Sequence, residues 1–132
     1  IIMSEKIEFE IISPDETIIK AEADQVTLPA FEGLMTILKN HISLVTFLRP
    51  GIIVATIDNK NKNFYVEDGT VEFSENNLLI LSSTAKDVNN IKTEEAQKMI
   101  ANAKQAILKN DIKDKDKYIL SYKIDTLQEI TR

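Results

Sequence analysis

The 132-residue chain has no cysteine, which excludes a disulfide framework and a thiolate metal site. That absence suits a reducing compartment, and a cytoplasmic setting is the default expectation. Histidine occurs once, at His41, so no metal centre is expected and any catalytic triad would depend on that single imidazole. Glycine occurs three times, each isolated, and no Gly-x-x-x-x-Gly-Lys-Ser/Thr run is present, which excludes a P-loop. No serine sits in a Gly-x-Ser-x-Gly elbow. Apolar runs are a few residues long, far short of the ~20 that span a bilayer, and no basic segment leads into an apolar one. Carboxylates are abundant but lie on turns and strand surfaces with no pattern that poises one as an acid. No enzymatic activity and no cofactor are expected of the chain alone.

What is present is enough for a folded core. The hydrophobic fraction is 43%, which suits one ordinary domain or a small domain with an appendage. A net charge of −5 argues against a basic nucleic-acid surface. The charge is unevenly placed: residues 1–90 carry 7 basic against 14 acidic side chains, and residues 91–132 carry 9 against 7. The C-terminal part is therefore net positive, which fits either an acidic partner or ordinary solvated faces. Ile1 and Ile2 precede Met3, which reads as a natural initiator followed by Ser4 and Glu5.

The first ninety residues alternate short β-type segments with turn signals. The segments are Ile7 to Ile12, Thr17 to Ala23, Val26 to Leu28, Leu44 to Leu48, Ile52 to Ile57, Phe64 to Val66, Thr70 to Phe73 and Leu78 to Leu81. Between them stand Ser13-Pro14-Asp15-Glu16, Pro50-Gly51, a polar hairpin tip from Asp58 to Lys62, Glu67-Asp68-Gly69 and Glu75-Asn76-Asn77. This spacing predicts a mostly antiparallel β-sandwich or barrel. Alternation in Ile7-Glu8-Phe9-Glu10-Ile11 places one face inward and one in water.

After Asn90 the period changes. Ala96, Met99, Ile100, Ala103 and Ile107 share one helical stripe, with Thr93 as the expected N-cap and Glu94 and Glu95 favoured in the first turn. A charge-dense interruption from Asn110 to Asp116 precedes a second stripe of Leu120, Ile124, Leu127 and Ile130. The expected fold is thus α+β: an N-terminal antiparallel β-sandwich over residues 1–88, then an antiparallel two-helix hairpin over residues 89–132. Each helix spans about 16 residues, or ~24 Å, too little apolar surface for secure stability alone. Beside a polar hinge from Asp87 to Asn90, such a hairpin either packs statically on the sandwich or has more than one resting place, as a switch requires.

The richest segment runs from Leu28-Pro29-Ala30-Phe31-Glu32-Gly33 through Leu34-Met35-Thr36-Ile37-Leu38-Lys39-Asn40-His41 and closes with Leu48-Arg49-Pro50-Gly51. Gly33 can take positive φ and Pro29 can end a strand, so the segment reads as strand, turn, short strand. The run Leu34, Met35, Ile37 and Leu38 is either core or an exposed docking surface. His41 by itself reads equally well as a strand-end histidine without a special role.

Taken together, Glu-Gly, the hydrophobic run, His and Leu-Arg-Pro-Gly in this order resemble the epsilon subunit of the bacterial F-type ATP synthase. Phe9-Glu10-Ile11-Ile12-Ser13-Pro14, Val66-Glu67-Asp68-Gly69-Thr70-Val71-Glu72 and Leu78-Leu79-Ile80-Leu81 extend the match, with Asp68 where the family usually has the first of two glycines. The resemblance implies a non-catalytic part of the central rotor stalk, coupling proton flow to ATP synthesis, peripheral at the cytoplasmic face of a bacterial inner membrane. It implies a gamma subunit and c-ring as partners of the sandwich. The rotor-contact edge would comprise Glu32, Gly33, Leu34, Met35, Thr36, Ile37, Leu38 and His41, although Thr36 and Lys39-Asn40 replace the family's Gly and Pro-Gly.

It further implies a hairpin that extends into the alpha and beta subunits of the head and restrains ATP hydrolysis. Lys98, Lys104, Lys109, Lys117 and Lys123 would meet acidic surfaces there. The family's ATP-binding motif on the hairpin is degenerate at Ile91, Lys92, Glu95 and Ala96, since Lys92 replaces an Asp and Glu95 replaces the phosphate-pairing Arg. ATP sensing is not expected. A mitochondrial origin is disfavoured by the lack of an Arg-rich leader. The competing reading is a free-standing β-sandwich binding module whose helices form a dimerisation arm. It accounts for the periodicity but not for the ordered motifs.

Overall fold

A computed structural model describes residues 5–132; Ile1, Ile2 and the expected initiator Met3 lie outside the described residues. Ten strands are followed by two helices: β1 Ile7–Ile12, β2 Thr17–Ala23, β3 Gln25–Ala30, β4 Gly33–Ile37, β5 Leu44–Leu48, β6 Gly51–Ile57, β7 Lys60–Val66, β8 Gly69–Ser74, β9 Asn77–Leu81, β10 Lys86–Asp87, α1 Thr93–Ile107 and α2 Asp114–Ile130. The strands connect in the order β10-β7-β6-β3-β5-β8-β9-β1-β2, with β4 paired to β3 off that path. The sheet folds over so that β2 packs beside β6. A core that includes Ile7, Phe9, Ile11, Val26, Leu28, Ile37, Ile53, Phe64, Phe73 and Ile80 fills the interior. Phe9 and Phe64 meet edge to face with centroids 6.4 Å apart, a favoured aromatic geometry.

Most pairs are antiparallel, but β1 runs parallel to β9 with Phe9 opposite Leu78. Two hairpins close more tightly than the sequence suggested. Asp58 and Asn59 both have positive φ between β6 and β7, as do Glu75 and Asn76 between β8 and β9, the geometry of two-residue turns matched to strand twist. The polar stretch after Asn59 therefore begins β7 rather than extending a loop. Ser13 closes the β1–β2 turn, its N–H donating to the Glu16 carbonyl at 2.9 Å and its hydroxyl accepting from the Glu16 N–H at 3.2 Å.

The linker from Val88 to Asn90 is a 3-10 turn, started by the Asp87 carboxylate accepting from the Asn89 N–H at 2.9 Å. Thr93 is not the N-cap of α1. It is the first helical residue, Lys92 holds the cap position, and no side chain caps the helix. Both helices lie against the sandwich. Tyr65, Ala96 and Leu127 form a second buried cluster, flanked by Ile52, Val88, Ile91, Met99, Ile100 and Ile130. No described helix is long and apolar enough to cross a membrane.

Candidate functional site

The two halves of the motif segment are neighbours in space. The Arg49 N–H donates to the Pro29 carbonyl at 3.0 Å, the Phe31 N–H donates to the Phe47 carbonyl at 3.1 Å, and Ala30 pairs with Leu48 between β3 and β5. A side chain at Gly51 would place its Cβ 2.5 Å from Pro29 Cβ, so glycine lets β6 leave the strand end past the proline ring. Gly33 serves conformation rather than space: its φ is +130° and nothing lies near a Cβ there. The Thr46 hydroxyl donates to the Glu32 carboxylate, 2.9 Å from one oxygen and 2.8 Å from the other, and so ties the turn to β5.

The run after Gly33 divides by the period of β4. Leu34 is 71% exposed and Leu38 is also exposed, whereas Ile37 is fully buried in the core and Met35 packs against it. Ile37 therefore does not belong to an exposed edge, because alternation turns it inward. Thr36 faces outward and meets Thr27 hydroxyl to hydroxyl at 3.0 Å. Asn40 supplies the positive φ, 68°, that a glycine before His41 would supply, and its N–H donates to the Asn76 side chain at 2.7 Å. His41 stands edge to face on Phe73 at 6.0 Å, with Nδ1 2.8 Å from the Ile42 carbonyl.

Sequence reasoning missed the larger part of the apolar surface. On β5 the polar Thr46 is buried while Val45, 71% exposed, and Phe47, 58% exposed, face outward. Phe31, Phe47, Leu81, Ile12 and Pro14 line an open groove of about 980 Å³ beside them. Isolated large apolar side chains on a surface are ordinary, but a contiguous group marks an interaction face. The available signal was a threonine at the centre of Leu44-Val45-Thr46-Phe47-Leu48, which hinted at inverted alternation without saying which face turned inward.

On the hairpin, Lys98, Lys104, Lys109 and Lys117 are exposed. Lys123 differs: its ammonium lies 2.9 Å from the Glu67 carboxylate, with the two side chains only 23% and 28% exposed. One residue earlier, Tyr122 stacks beneath the Arg49 guanidinium, 3.9 Å from ring centroid to Cζ. Ile91 and Ala96 pack toward the sandwich, and Lys92 is exposed at the start of α1. Glu95 pairs with Lys86 at 3.0 Å. Ile91 and Glu95 border a cavity of about 200 Å³ whose charged lining is Glu67, Lys86 and Glu95. The Tyr65 hydroxyl at this cavity is buried without a hydrogen-bond partner; burial first, then the nearby Glu67 charge, push its phenol far above the ordinary range.

Comparison with known proteins agrees with this architecture. Residues 6–88 match the family profile described as ATP synthase, Delta/Epsilon chain, beta-sandwich domain. The chain is 40% identical over 129 residues to the ATP synthase epsilon chain of Pelagibacter ubique, covering 97% of this chain and 99% of the relative. It is 34% identical over 107 residues to that of Elusimicrobium minutum, covering 80% and 79%. Among solved structures, a chain of the Euglena gracilis mitochondrial ATP synthase superposes with a TM-score of 0.81 at 19% identity, covering 98% of this chain and 84% of that one. A chain of the Tetrahymena thermophila mitochondrial ATP synthase, described as central stalk and c-ring, gives 0.68 at 14% identity and covers 97% and 98%. The profile over the sandwich and the near full-length relative agree: the chain belongs to the ATP synthase epsilon-chain family.

Proposed function

We propose that this chain is a central-stalk subunit that couples a gamma subunit and a c-ring to the catalytic head of a proton-translocating F-type ATP synthase. Its sandwich, residues 1–88, is the rotor-binding domain; its hairpin, residues 89–132, restrains ATP hydrolysis. The observation that carries the reading is the outward pair Val45 and Phe47 on β5, with Phe47 lining an apolar groove together with Phe31 and Leu81, on the sandwich that carries the hairpin. A face of that kind buries well against a partner and poorly in water. The exposed lysines of the hairpin suit the acidic surfaces of alpha and beta subunits when the hairpin extends. The complex would hold the chain peripherally at the cytoplasmic face of a bacterial inner membrane.

The test is ATP hydrolysis by the matching catalytic head with either the full chain or a chain ending at Asn90 added back. Inhibition by the full chain alone supports the hairpin as a brake. Rotor binding by both without inhibition by either removes the braking role, and failure of both to bind removes the stalk role.

A further inference from the structure

Both helices share the apolar seat around Tyr65, α1 through Ala96, Met99 and Ile100 and α2 through Leu127 and Ile130, and α1 adds the more exposed ion pair of Glu95 with Lys86. α2 adds two polar contacts from consecutive residues: Tyr122 under the Arg49 guanidinium and Lys123 on the Glu67 carboxylate. Arg49 is fixed from behind, since its N–H holds the Pro29 carbonyl and its guanidinium donates to the Pro50 carbonyl at 2.9 Å. Glu67 is likewise anchored, its N–H donating to the Thr84 hydroxyl at 3.0 Å. Both sandwich partners are therefore preorganised on strand ends, and both helix partners lie on one turn.

We propose that Arg49 and Glu67 form a clasp that sets the docked population of the hairpin, with Lys123 exchanging Glu67 for an acidic surface of the catalytic head when the hairpin leaves. The exchange rests on the braking reading above; the clasp does not. While docked, Lys123 is neutralised and cannot serve the head, so docking and braking compete for one ammonium. The pair is more shielded than an ordinary surface pair, and removing one partner leaves the other charge partly desolvated.

Tyr65 offers a direct readout. Its ring is 1% exposed and its cover comes from the hairpin, whereas the adjacent Phe64 is buried in the sandwich core. Hydroxyl-radical labelling of the full chain, read by mass spectrometry, reports the open fraction at Tyr65 and sandwich integrity at Phe64. Glu67→Gln is expected to raise Tyr65 labelling about fivefold with Phe64 unchanged, and the exchanged pair Glu67→Lys with Lys123→Glu is expected to restore protection. Unchanged labelling in Glu67→Gln, or no restoration by the exchanged pair, overturns the clasp. The same variant added to the catalytic head separates the two ideas. Faster labelling with stronger inhibition supports clasp and exchange together; faster labelling with inhibition equal to the parent's keeps the clasp and refutes the exchange, and absence of inhibition by the parent itself removes the braking reading while leaving the clasp.

Discussion

Replacing Gly51 with alanine tests whether the motif segment is held by a close approach or by backbone freedom. The new Cβ would lie 2.5 Å from Pro29 Cβ and 2.9 Å from Pro29 Cγ. Carbon atoms rest about 3.5–4.0 Å apart, so relief demands a shift of roughly 1 Å. The proline ring cannot rotate aside, and its carbonyl is held by the Arg49 N–H, so the shift must push the end of β3 away from the start of β6 and strain the Thr27–Val54 end of their pairing. Overpacking of this kind costs about 2–3 kcal/mol, which for a chain of 132 residues corresponds to a melting temperature lower by roughly 8–12 °C. A thermal melt of the full chain followed by far-UV circular dichroism measures it. Gly33→Ala is the control, because open space surrounds that position and only the φ of +130° opposes the change. If Gly51→Ala melts within about 2 °C of the parent, close approach to Pro29 is not the reason for glycine there.

Three further outcomes are expected. Tyr65→Phe removes a buried, unbonded hydroxyl and is expected to be neutral or to stabilise by up to about 1 kcal/mol in urea unfolding. Because the phenol is raised in the folded state, its contribution is fully present below the unfolded value near 10 and is lost as pH rises beyond it, so parent protein should lose hairpin docking above about pH 10, less so in Tyr65→Phe. Leu127→Ala empties a fully buried position in the second cluster and is expected to weaken docking by about 2–4 kcal/mol, seen as hydrogen exchange across α2, while the sandwich core keeps its protection. Phe47→Ser changes an outward side chain, so the melt should hold while affinity for the gamma partner, by calorimetry, falls at least about tenfold.

Strands with an inward apolar stripe, such as β1 and β8, were legible because period-two patterning is local. The helices were legible for the same reason at period 3.6. What was not legible is pairing. The parallel contact of β1 with β9 joins residues about seventy positions apart, and nothing in Ile7 to Ile12 encodes which neighbour it takes. Thr46 turns inward with Leu44 and Leu48, its hydroxyl satisfied by Glu32 from a distant turn, and Ile37 entered the expected docking edge because apolar residues on both faces of Leu34 to Leu38 hide its alternation. Lys123 looked like the other lysines of the hairpin. Only its distance to Glu67 distinguishes it.

β1, placed between β2 and β9, is the seam that joins the N-terminal hairpin to the rest of the sheet. During synthesis the first strand must wait for β9 to emerge before that parallel pairing can form, so closure is late and depends on almost the whole sandwich being present. Loss of a few residues at the start therefore opens the seam between two faces. Loss of the helices uncovers one cluster and leaves the seam shut. The chain is divisible at one end only, and its helical hairpin can be shortened or shed without asking the sandwich to fold again.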